Sequence, residues 1–319
     1  GGALSNLTVR TAANASLGNI GTLATPLNSV IIDPANTVLS NITANTINIT
    51  NVSNTNALSG TDNVTLNGIL TALAPGSGGF GYDTPLLIVT NTFTNNAGAN
   101  ALNTTGANSR WLVWSNSPVG NTLGGLSSNF IQYNAVYDNT MNTLVAVEKN
   151  TTTTNNGLLY STPANITIDL VAPITKTYNG LNTATLAPAN YQANNLFSGD
   201  AIVSGLSTTG SYDTVHADVN KMVTTSVGTP VFKNGAALIY GYNILTSPGC
   251  SAGTLCGNLG TIAQRPITVT SNPTGPTSKV YDGTTNAPVG AAVAITGTTN
   301  ALAGDTFVLD TTTTQLSYN

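Results

Sequence analysis

Residues able to perform acid–base or nucleophilic chemistry are scarce in this sequence. Only 6% of its 319 residues are charged, and it contains a single histidine, His216. A Ser-His-Asp hydrolase would depend on His216, which lies between Asp213 and Asp218 in a short acidic segment. Acid–base cleavage of sugars needs two carboxylates with room between them, yet the aspartates of the first hundred residues, such as Asp33, are isolated. We therefore expect no catalytic residue, and an enzyme is the least favoured class.

Metal and redox chemistry lack their usual residues as well. Hard cations bind several convergent carboxylates, whereas Asp282 and Asp305 each stand alone in the sequence. Cys250 and Cys256 do not have the Cys-x-x-Cys spacing of redox or zinc sites. In an exported protein this pair is expected to form one disulfide, which closes a surface loop and adds about 2 kcal/mol. We predict no metal and no cofactor.

Both tryptophans of the chain lie in one aromatic segment. Residues 110–115 read Arg-Trp-Leu-Val-Trp-Ser, and further aromatic residues follow between 130 and 137. Trp111 and Trp114 could stack against sugar rings. Three positions apart on a strand, they would point to opposite faces, so at least one is expected in the core. Because the open end of a stacked sheet must be covered, we interpret residues 110–157 as an aromatic cap and junction.

The composition excludes several classes of partner. Eight Lys and Arg residues and a net charge of −4 cannot form the basic surface that binds nucleic acid or anionic lipid. Thr, Asn, Ser or Gly interrupts the apolar residues every few positions, so no apolar run is long enough for insertion into a membrane. A hydrophobic share of 40% is too high for a disordered polar tract. We expect a folded chain with no nucleic-acid partner and no membrane insertion.

The residue types between 1 and 109 indicate the fold class. Asn and Thr disfavour helices, whereas Thr, Ile and Val favour strands. Short alternating apolar pairs recur about every twenty residues. They are Leu7 and Val9, Val30 and Ile32, Ile47 and Ile49, Val64 and Leu66, and Leu87 and Val89. Units too small to bury their own apolar face must stack, so we predict an all-β chain that begins with a parallel β-helix, or solenoid, over residues 1–109. The alternative is a β-sandwich with strands at irregular intervals.

A short motif occurs twice in the second half of the chain. Lys176–Ala184 reads Lys-Thr-Tyr-Asn-Gly-Leu-Asn-Thr-Ala, and Lys279–Ala287 reads Lys-Val-Tyr-Asp-Gly-Thr-Thr-Asn-Ala. The segments Ser198-Gly199-Asp200 and Ala303-Gly304-Asp305 follow at nearly the same offset, about a hundred residues. We therefore predict tandem small β modules of sandwich or grasp-like type. The first covers residues 158–270, and an incomplete second covers 271–319.

Each copy of the motif predicts a strand, a tight turn and a second strand. Gly accepts positive φ in such a turn, and the preceding Asn or Asp side chain bonds the turn's backbone. The motif residues are Tyr178, Asn179, Gly180, Tyr281, Asp282 and Gly283. We expect both tyrosines in the core or at a corner and the other residues in the turns. A half module leaves open edges, so we expect it to be completed by further repeats or by a strand from a neighbouring molecule.

These motifs resemble the YDG-type repeats of very large bacterial surface adhesins of the filamentous-haemagglutinin class, which are exported by two-partner secretion. Tyr281–Thr285, the Ala-Gly-Asp segment and Arg265–Val269 carry the resemblance, which covers about residues 174–319. The first copy departs from the pattern at Asn179 and Leu181. The resemblance implies secretion, a cell-surface location and adhesion, and it transfers no catalytic residues.

We therefore expect an extracellular adhesin fragment that serves in cell attachment or biofilm formation. A rigid stalk and repeat modules would present non-covalent binding surfaces to a host cell, a glycan or an abiotic surface. The alternative is a structural subunit of an extracellular filament or sheath, assembled by strand pairing between chains. Self-association through β edges would favour that alternative.

Overall fold

The chain is all-β, as its composition predicts. The computed structural model describes residues 4–10, 13–33, 35–50, 62–76, 84–138, 143–145, 155–171, 173–245, 249–276, 278–287 and 291–304. Within these ranges every regular element is a β-strand, except for a 3-10 turn at Pro188–Asn190. The predicted all-β class is confirmed.

Two compact units divide the chain, and each takes its residues from several segments. Unit 1 comprises Gly1–Asp169, Ala193–Leu206 and Val227–Ser247, and unit 2 comprises Leu170–Gln192, Ser207–Ser226 and Pro248–Asn319. The sequence predicted a single module at 158–270. The observed division differs, because this segment contributes strands to both units.

The strands are numbered in chain order. Those of unit 1 are β1 (Asn6–Arg10), β2 (Ala15–Leu17), β3 (Leu27–Asp33), β4 (Asn36–Leu39), β5 (Ile42–Thr50), β6 (Asn63–Leu66), β7 (Leu70–Ala72), β8 (Leu86–Val89), β9 (Thr92–Asn95), β10 (Leu102–Thr104), β11 (Trp111–Ser115), β12 (Phe130–Gln132), β13 (Val136–Asp138), β14 (Thr143–Val145), β15 (Gly157–Tyr160), β20 (Asp200–Leu206), β23 (Gly228–Asn234), β24 (Ala237–Tyr240) and β25 (Tyr242–Leu245). Those of unit 2 are β17 (Ile174–Thr177), β18 (Thr183–Thr185), β21 (Thr209–Tyr212), β22 (Asp218–Ser226), β26 (Thr254–Ala263), β27 (Thr268–Thr274) and β28 (Ala292–Thr299). Both β16 (Ala164–Leu170) and β19 (Tyr191–Asn194) contain a boundary between the units.

A long sheet in unit 1 is parallel through most of its width. Its strand order is β1-β3-β5-β8-β11-β15-β12-β24-β23-β20. Neighbours from β1 to β24 run parallel, whereas β24, β23 and β20 are antiparallel. A second sheet, β2-β4-β6-β9, is also parallel. Up to β6 the chain therefore adds strands alternately to the two sheets.

The register of the long sheet places several of the predicted apolar pairs directly on one another. Val30 pairs with Leu7 on one side and with Ile47 on the other, and the pair two residues further on repeats the pattern. Ile32 and Ile49 are fully buried, as expected for inward positions. The prediction holds for these strands because the side chains of a strand alternate between its faces.

Two of the predicted pairs lie elsewhere. Val64 and Leu66 belong to the second sheet, where Val64 pairs with Thr37 and Phe93. In β8 the residues in register with Ile47 and Ile49 are Leu86 and Ile88, not Leu87 and Val89. All four residues of β8 are buried, so alternation could not identify which of them lie inward.

Parallel strands covered on both faces explain the continuous apolar runs. Every residue of β8, β11 and β15 is buried. On one face a cluster of buried side chains packs together, with Tyr240 against it. Its members are Leu87, Val89, Leu112, Trp114, Phe130, Ala135 and Leu159. Parallel sheets with both faces covered have such runs in place of alternation.

Asparagine side chains hydrogen-bond from one strand level to the next. Each donates its Nδ2 to the Oδ1 of an asparagine one level earlier in the chain. The donor and acceptor pairs are Asn28–Asn6 at 3.0 Å, Asn45–Asn28 at 3.5 Å, Asn36–Asn14 at 2.7 Å, Asn63–Asn36 at 3.0 Å, Asn41–Asn19 at 3.2 Å and Asn96–Asn67 at 3.0 Å. A shift of one strand by one residue would break the bonds of its own asparagine, so these ladders favour the same register as the apolar residues do.

Unit 2 contains a five-stranded mixed sheet and a separate hairpin. The sheet order is β17-β26-β22-β21-β18, in which only β17 and β26 pair in parallel, and β27 pairs with β28. Tyr212 is 2% exposed and donates its hydroxyl to the carbonyl of Ile174 at 3.1 Å. A Cβ at Gly260 would meet the Tyr212 ring at 2.7 Å, so this position requires glycine.

Candidate functional site

The first copy of the repeated motif forms a turn that a lysine closes. Lys176 donates its Nζ to the carbonyl oxygens of Leu181 at 2.8 Å and Thr183 at 3.2 Å. Asn179 accepts a hydrogen bond from the backbone N–H of Leu181 at 3.1 Å, and Gly180 has a φ of 76°. These bonds satisfy backbone groups of the turn that have no partner on a neighbouring strand. Asn179 and Gly180 therefore have the turn role that the sequence predicts.

The second copy uses the same parts in a different pattern. Asp282 Oδ1 accepts from Lys279 Nζ at 2.8 Å, from the Thr284 backbone N–H at 2.9 Å and from the Thr284 hydroxyl at 2.8 Å. Lys279 and Thr284 together lower the pKa of Asp282 to about 2. Gly283 has a φ of 82°, so the turn again requires a glycine. Asp282 is therefore a turn residue, as predicted.

The two motif tyrosines have different environments. Tyr178 is half-buried, whereas Tyr281 is 89% exposed. The expectation of a core or corner position is wrong for Tyr281, whose ring projects into solvent. Asp305, which belongs to the second Ala-Gly-Asp segment, lies outside the described residues.

Asp200, the last residue of the first Ser-Gly-Asp segment, joins three side chains of unit 1. Its Oδ2 accepts from the hydroxyls of Tyr133 at 2.7 Å and Tyr242 at 2.6 Å, and its Oδ1 accepts from Asn234 Nδ2 at 2.7 Å. Tyr133 is only 1% exposed. Asp200 itself is half-buried, and these three hydrogen bonds satisfy its carboxylate oxygens.

Aromatic rings pack around Tyr133, one of the donors to this carboxylate. The Tyr133 ring stacks on Phe197 and Tyr160, with centroids 4.8 Å and 5.6 Å away, and contacts Tyr242 at 4.9 Å. Burial raises the pKa of Tyr160 to about 12. Burial and the Asp200 carboxylate also raise the pKa values of Tyr133 and Tyr242. These hydroxyls therefore stay protonated and act as hydrogen-bond donors.

Sequence reasoning identified Asp200 only as a repeat landmark. Its partner Tyr133 is 67 positions earlier in the chain. The one available signal was a charged residue that recurs in a chain with few charges. The tyrosine partners could not be found, because their contact depends on how β12, β20 and β25 come together.

The tryptophans are core residues. Trp111 is 2% exposed and Trp114 is fully buried. The hypothesis that they stack against sugar rings is wrong, because neither ring offers a face to a ligand. The two faces of β11 are both covered, so both tryptophan rings are buried even though they point to opposite faces.

The cysteines agree with the predicted disulfide. Cys250 and Cys256 Sγ lie 1.99 Å apart.

Residues 249–253, Gly-Cys-Ser-Ala-Gly, also match the spacing of a hydrolase nucleophile elbow, which requires a turn from a strand into a helix. Here β26 follows the turn at Thr254, so Ser251 is not held as such a nucleophile.

The acidic segment around the histidine is a solvated loop with one ion pair. Asp213 lies 3.0 Å from Lys221 Nζ, and this contact lowers the pKa of Asp213. His216 is exposed. No group of three or more His, Cys, Asp or Glu residues that could hold a metal ion occurs in the described ranges. The same ranges contain no helix that could cross a membrane.

In the described part of unit 1, two cavities lie next to the Asp200 cluster, which is formed by Asp200, Tyr133, Tyr242 and Asn234. The larger, about 510 Å³, is lined mainly by apolar and aromatic side chains, among them Leu126, Ile131 and Tyr160. The smaller, about 340 Å³, is lined largely by amide side chains. Both volumes fall within the usual range for small-ligand sites.

Comparison with known proteins identifies one domain. Searches among curated protein sequences and among solved structures found no significant match. A family model of the YDG domain matches residues 162–244, which include the first copy of the repeated motif and Asp200. The match falls on the copy that departs more from the motif. Residues 162–244 of this chain are a YDG domain.

Proposed function

We propose that this chain is part of an extracellular bacterial adhesin that binds its target by non-covalent contact. The YDG domain at 162–244 carries the proposal, because the repeats of filamentous-haemagglutinin-type adhesins are what the motifs of this sequence resemble. The Cys250–Cys256 disulfide supports an exported location, since such bonds persist in oxidising compartments. A surface with few charges is consistent with contact to neutral targets.

We further propose that the parallel strands between residues 6 and 115 are coils of a parallel β-helix that serves as a stalk. The alternation of strands between two parallel sheets supports this proposal, as do the asparagine ladders. Each coil would add about 4.8 Å, the spacing between neighbouring strands. The stalk would then hold the YDG domain away from the cell that secretes it.

One edge of the long sheet, strand β20, is poorly suited to pairing between filament subunits. β20 ends this sheet in the described residues, and its pairing with β23 has register shifts between Ile202 and Ser204 and between Ser204 and Leu206. Irregularities of this kind bend an edge strand and hinder pairing with another chain. Assembly through β20 would require this edge to straighten.

An attachment assay tests the adhesive function. Beads coated with the chain are expected to attach to epithelial cells, neutral glycans or polystyrene about tenfold more than beads coated with an unrelated all-β protein, because many weak contacts act together. If beads coated with the chain attach no better than the control beads to any of the three surfaces, the chain is not an adhesin. Sedimentation velocity over about a hundredfold concentration range distinguishes an adhesin from a filament subunit, since a filament subunit must form larger species as its concentration rises.

A further inference from the structure

The smaller cavity of unit 1 has the chemistry of a ligand site. Its lining includes Gln132, Asn134, Asn165 and Asn243, four amide side chains, beside the ring of Tyr242. No lining residue is charged, so the cavity offers nothing to balance a charged ligand. Amides both donate and accept hydrogen bonds, which suits a ligand with several hydroxyl groups.

The amides are held in place by the fold. Asn243 donates its Nδ2 to Asn165 Oδ1 at 2.8 Å, across the parallel pair β16 and β25. This bond leaves the Asn165 amino group and the Asn243 carbonyl oxygen for a ligand. Asn134 has a φ of 54°, and its backbone N–H donates to the carbonyl of Thr162 at 3.1 Å. The side chains of Asn165 and Asn243 are thus oriented before a ligand arrives, and the backbone of Asn134 is held beside them.

A buried polar group without a partner lies at the base of the cavity. Gln132 is 1% exposed and donates its Nε2 to the carbonyl of Tyr133 at 2.8 Å. Its Oε1 has no hydrogen-bond partner in the described structure. Buried polar groups are usually satisfied, so an unsatisfied acceptor beside a cavity indicates a missing donor, such as a ligand hydroxyl or the water that bridges to it.

Glycine keeps this base open. Gly241 has a φ of 86°, and a Cβ there would meet Gln132 Nε2 at 2.7 Å and collide with the Tyr133 carbonyl oxygen. Any larger residue would therefore fill the space above Gln132. Pro163 and the half-buried Tyr242 add apolar surface at the wall.

We propose that this cavity binds a single neutral sugar ring. The amides would contact its hydroxyl groups, and Tyr242 and Pro163 would contact its C–H groups. A volume of about 340 Å³ has room for one pyranose ring and bridging water. This inference deepens the proposed adhesive function, on which it rests, by naming the class of target.

Saturation-transfer NMR with the full chain tests the inference without any cell. The probes are glucose, galactose, mannose and N-acetylglucosamine, and glucuronic acid and tri-alanine are the comparisons. At least one neutral sugar is expected to bind with a millimolar Kd, as suits a few weak contacts. Asn165→Ala is expected to weaken this binding about tenfold, the effect of one lost hydrogen bond to the ligand. Asn165→Leu, which replaces the amide by a bulkier apolar side chain with no hydrogen-bonding group, is expected to abolish it.

A matched control distinguishes the cavity from the other asparagine pairs. Asn67 is exposed and accepts a side-chain hydrogen bond from Asn96 at 3.0 Å, as Asn165 does from Asn243. Asn67→Ala is expected to leave sugar binding unchanged. The inference is wrong if no neutral sugar binds, if Asn165→Leu binds sugar as well as the unchanged chain does, or if glucuronic acid or tri-alanine binds as well as the neutral sugars. Attachment of coated beads with no sugar binding would reject this site and leave the adhesive function standing.

Discussion

The hydrogen bond from Tyr133 to Asp200 is expected to contribute measurably to the stability of unit 1. Tyr133→Phe removes the hydroxyl and keeps the ring that packs on Phe197 and Tyr160. Asp200 retains its contacts to Tyr242 and Asn234, so its half-buried carboxylate keeps hydrogen-bond partners. A hydrogen bond to a charged group contributes about 1.5–3 kcal/mol, and we expect a loss near the lower end of that range.

Tryptophan fluorescence during urea unfolding measures this loss in the correct unit. Both tryptophans, Trp111 and Trp114, lie in unit 1, so their emission reports on it alone. Tyr281→Phe is the matched control, because this tyrosine is 89% exposed and belongs to unit 2. Tyr133→Phe within about 0.5 kcal/mol of the control would refute the role assigned to the hydrogen bond.

The double variant sharpens the test. Tyr242→Phe removes the second donor to Asp200 Oδ2 and also the acceptor for the Phe197 backbone N–H, 3.0 Å away. Each single variant leaves one hydroxyl on the carboxylate, whereas the double variant leaves none. We expect the double loss to exceed the sum of the single losses by about 0.5 kcal/mol or more. Additive losses would mean that the two hydroxyls do not share one acceptor.

Three further results are expected. Alkylation without reductant should label neither Cys250 nor Cys256, and labelling of both in the oxidised native chain would exclude the disulfide. Ile49→Asp, at a fully buried position, should cost several kcal/mol of unfolding free energy because it buries an unpaired charge. Thr46→Asp, at a half-buried position of the same strand, should cost far less. Equal shifts of the melting temperature in the two variants would show that the inward face is misassigned. Alkaline pH should destabilise unit 1, since Tyr160 has a pKa of about 12 in the folded chain and 10.0 when unfolded. Its contribution is fully present below pH 10 and falls by about 1.4 kcal/mol per pH unit above it, so an unfolding free energy that is constant from pH 10 to pH 12 would contradict the burial of Tyr160.

Periodicity predicted the fold where one face of a strand is buried and the other is not. Ile47 and Ile49 could be assigned to the inside because the polar residues Thr46, Asn48 and Thr50 alternate with them. In β8, Leu86 to Val89 carry no such signal, since both faces are covered, and the predicted register was off by one residue. The burial of both tryptophans of β11 was missed for the same reason, because both faces of that strand are covered. A strand that is apolar throughout reports that it is buried but not which side of it meets which neighbour.

The turns of the repeated motif could be predicted because their chemistry is local. Asn179 and Asp282 bond backbone groups within two residues of themselves. The Asp200 cluster and the amide cavity could not be predicted, because they combine residues from distant parts of the chain. Asn165 and Asn243, for example, are 78 positions apart and become neighbours only when β16 and β25 pair. In a chain rich in asparagine, nothing distinguishes these two residues by type.

The division into units constrains how such a module can be copied or cut. Unit 2 is assembled from three separate segments, and the segments of unit 1 alternate with them. The YDG domain at 162–244 contains parts of both. A gene fragment that begins or ends inside it would remove strands from two cores at once. Duplication, truncation and fusion are therefore expected to be tolerated only at boundaries outside this interleaved region, which makes the whole of it the smallest piece that can be inherited as a repeat.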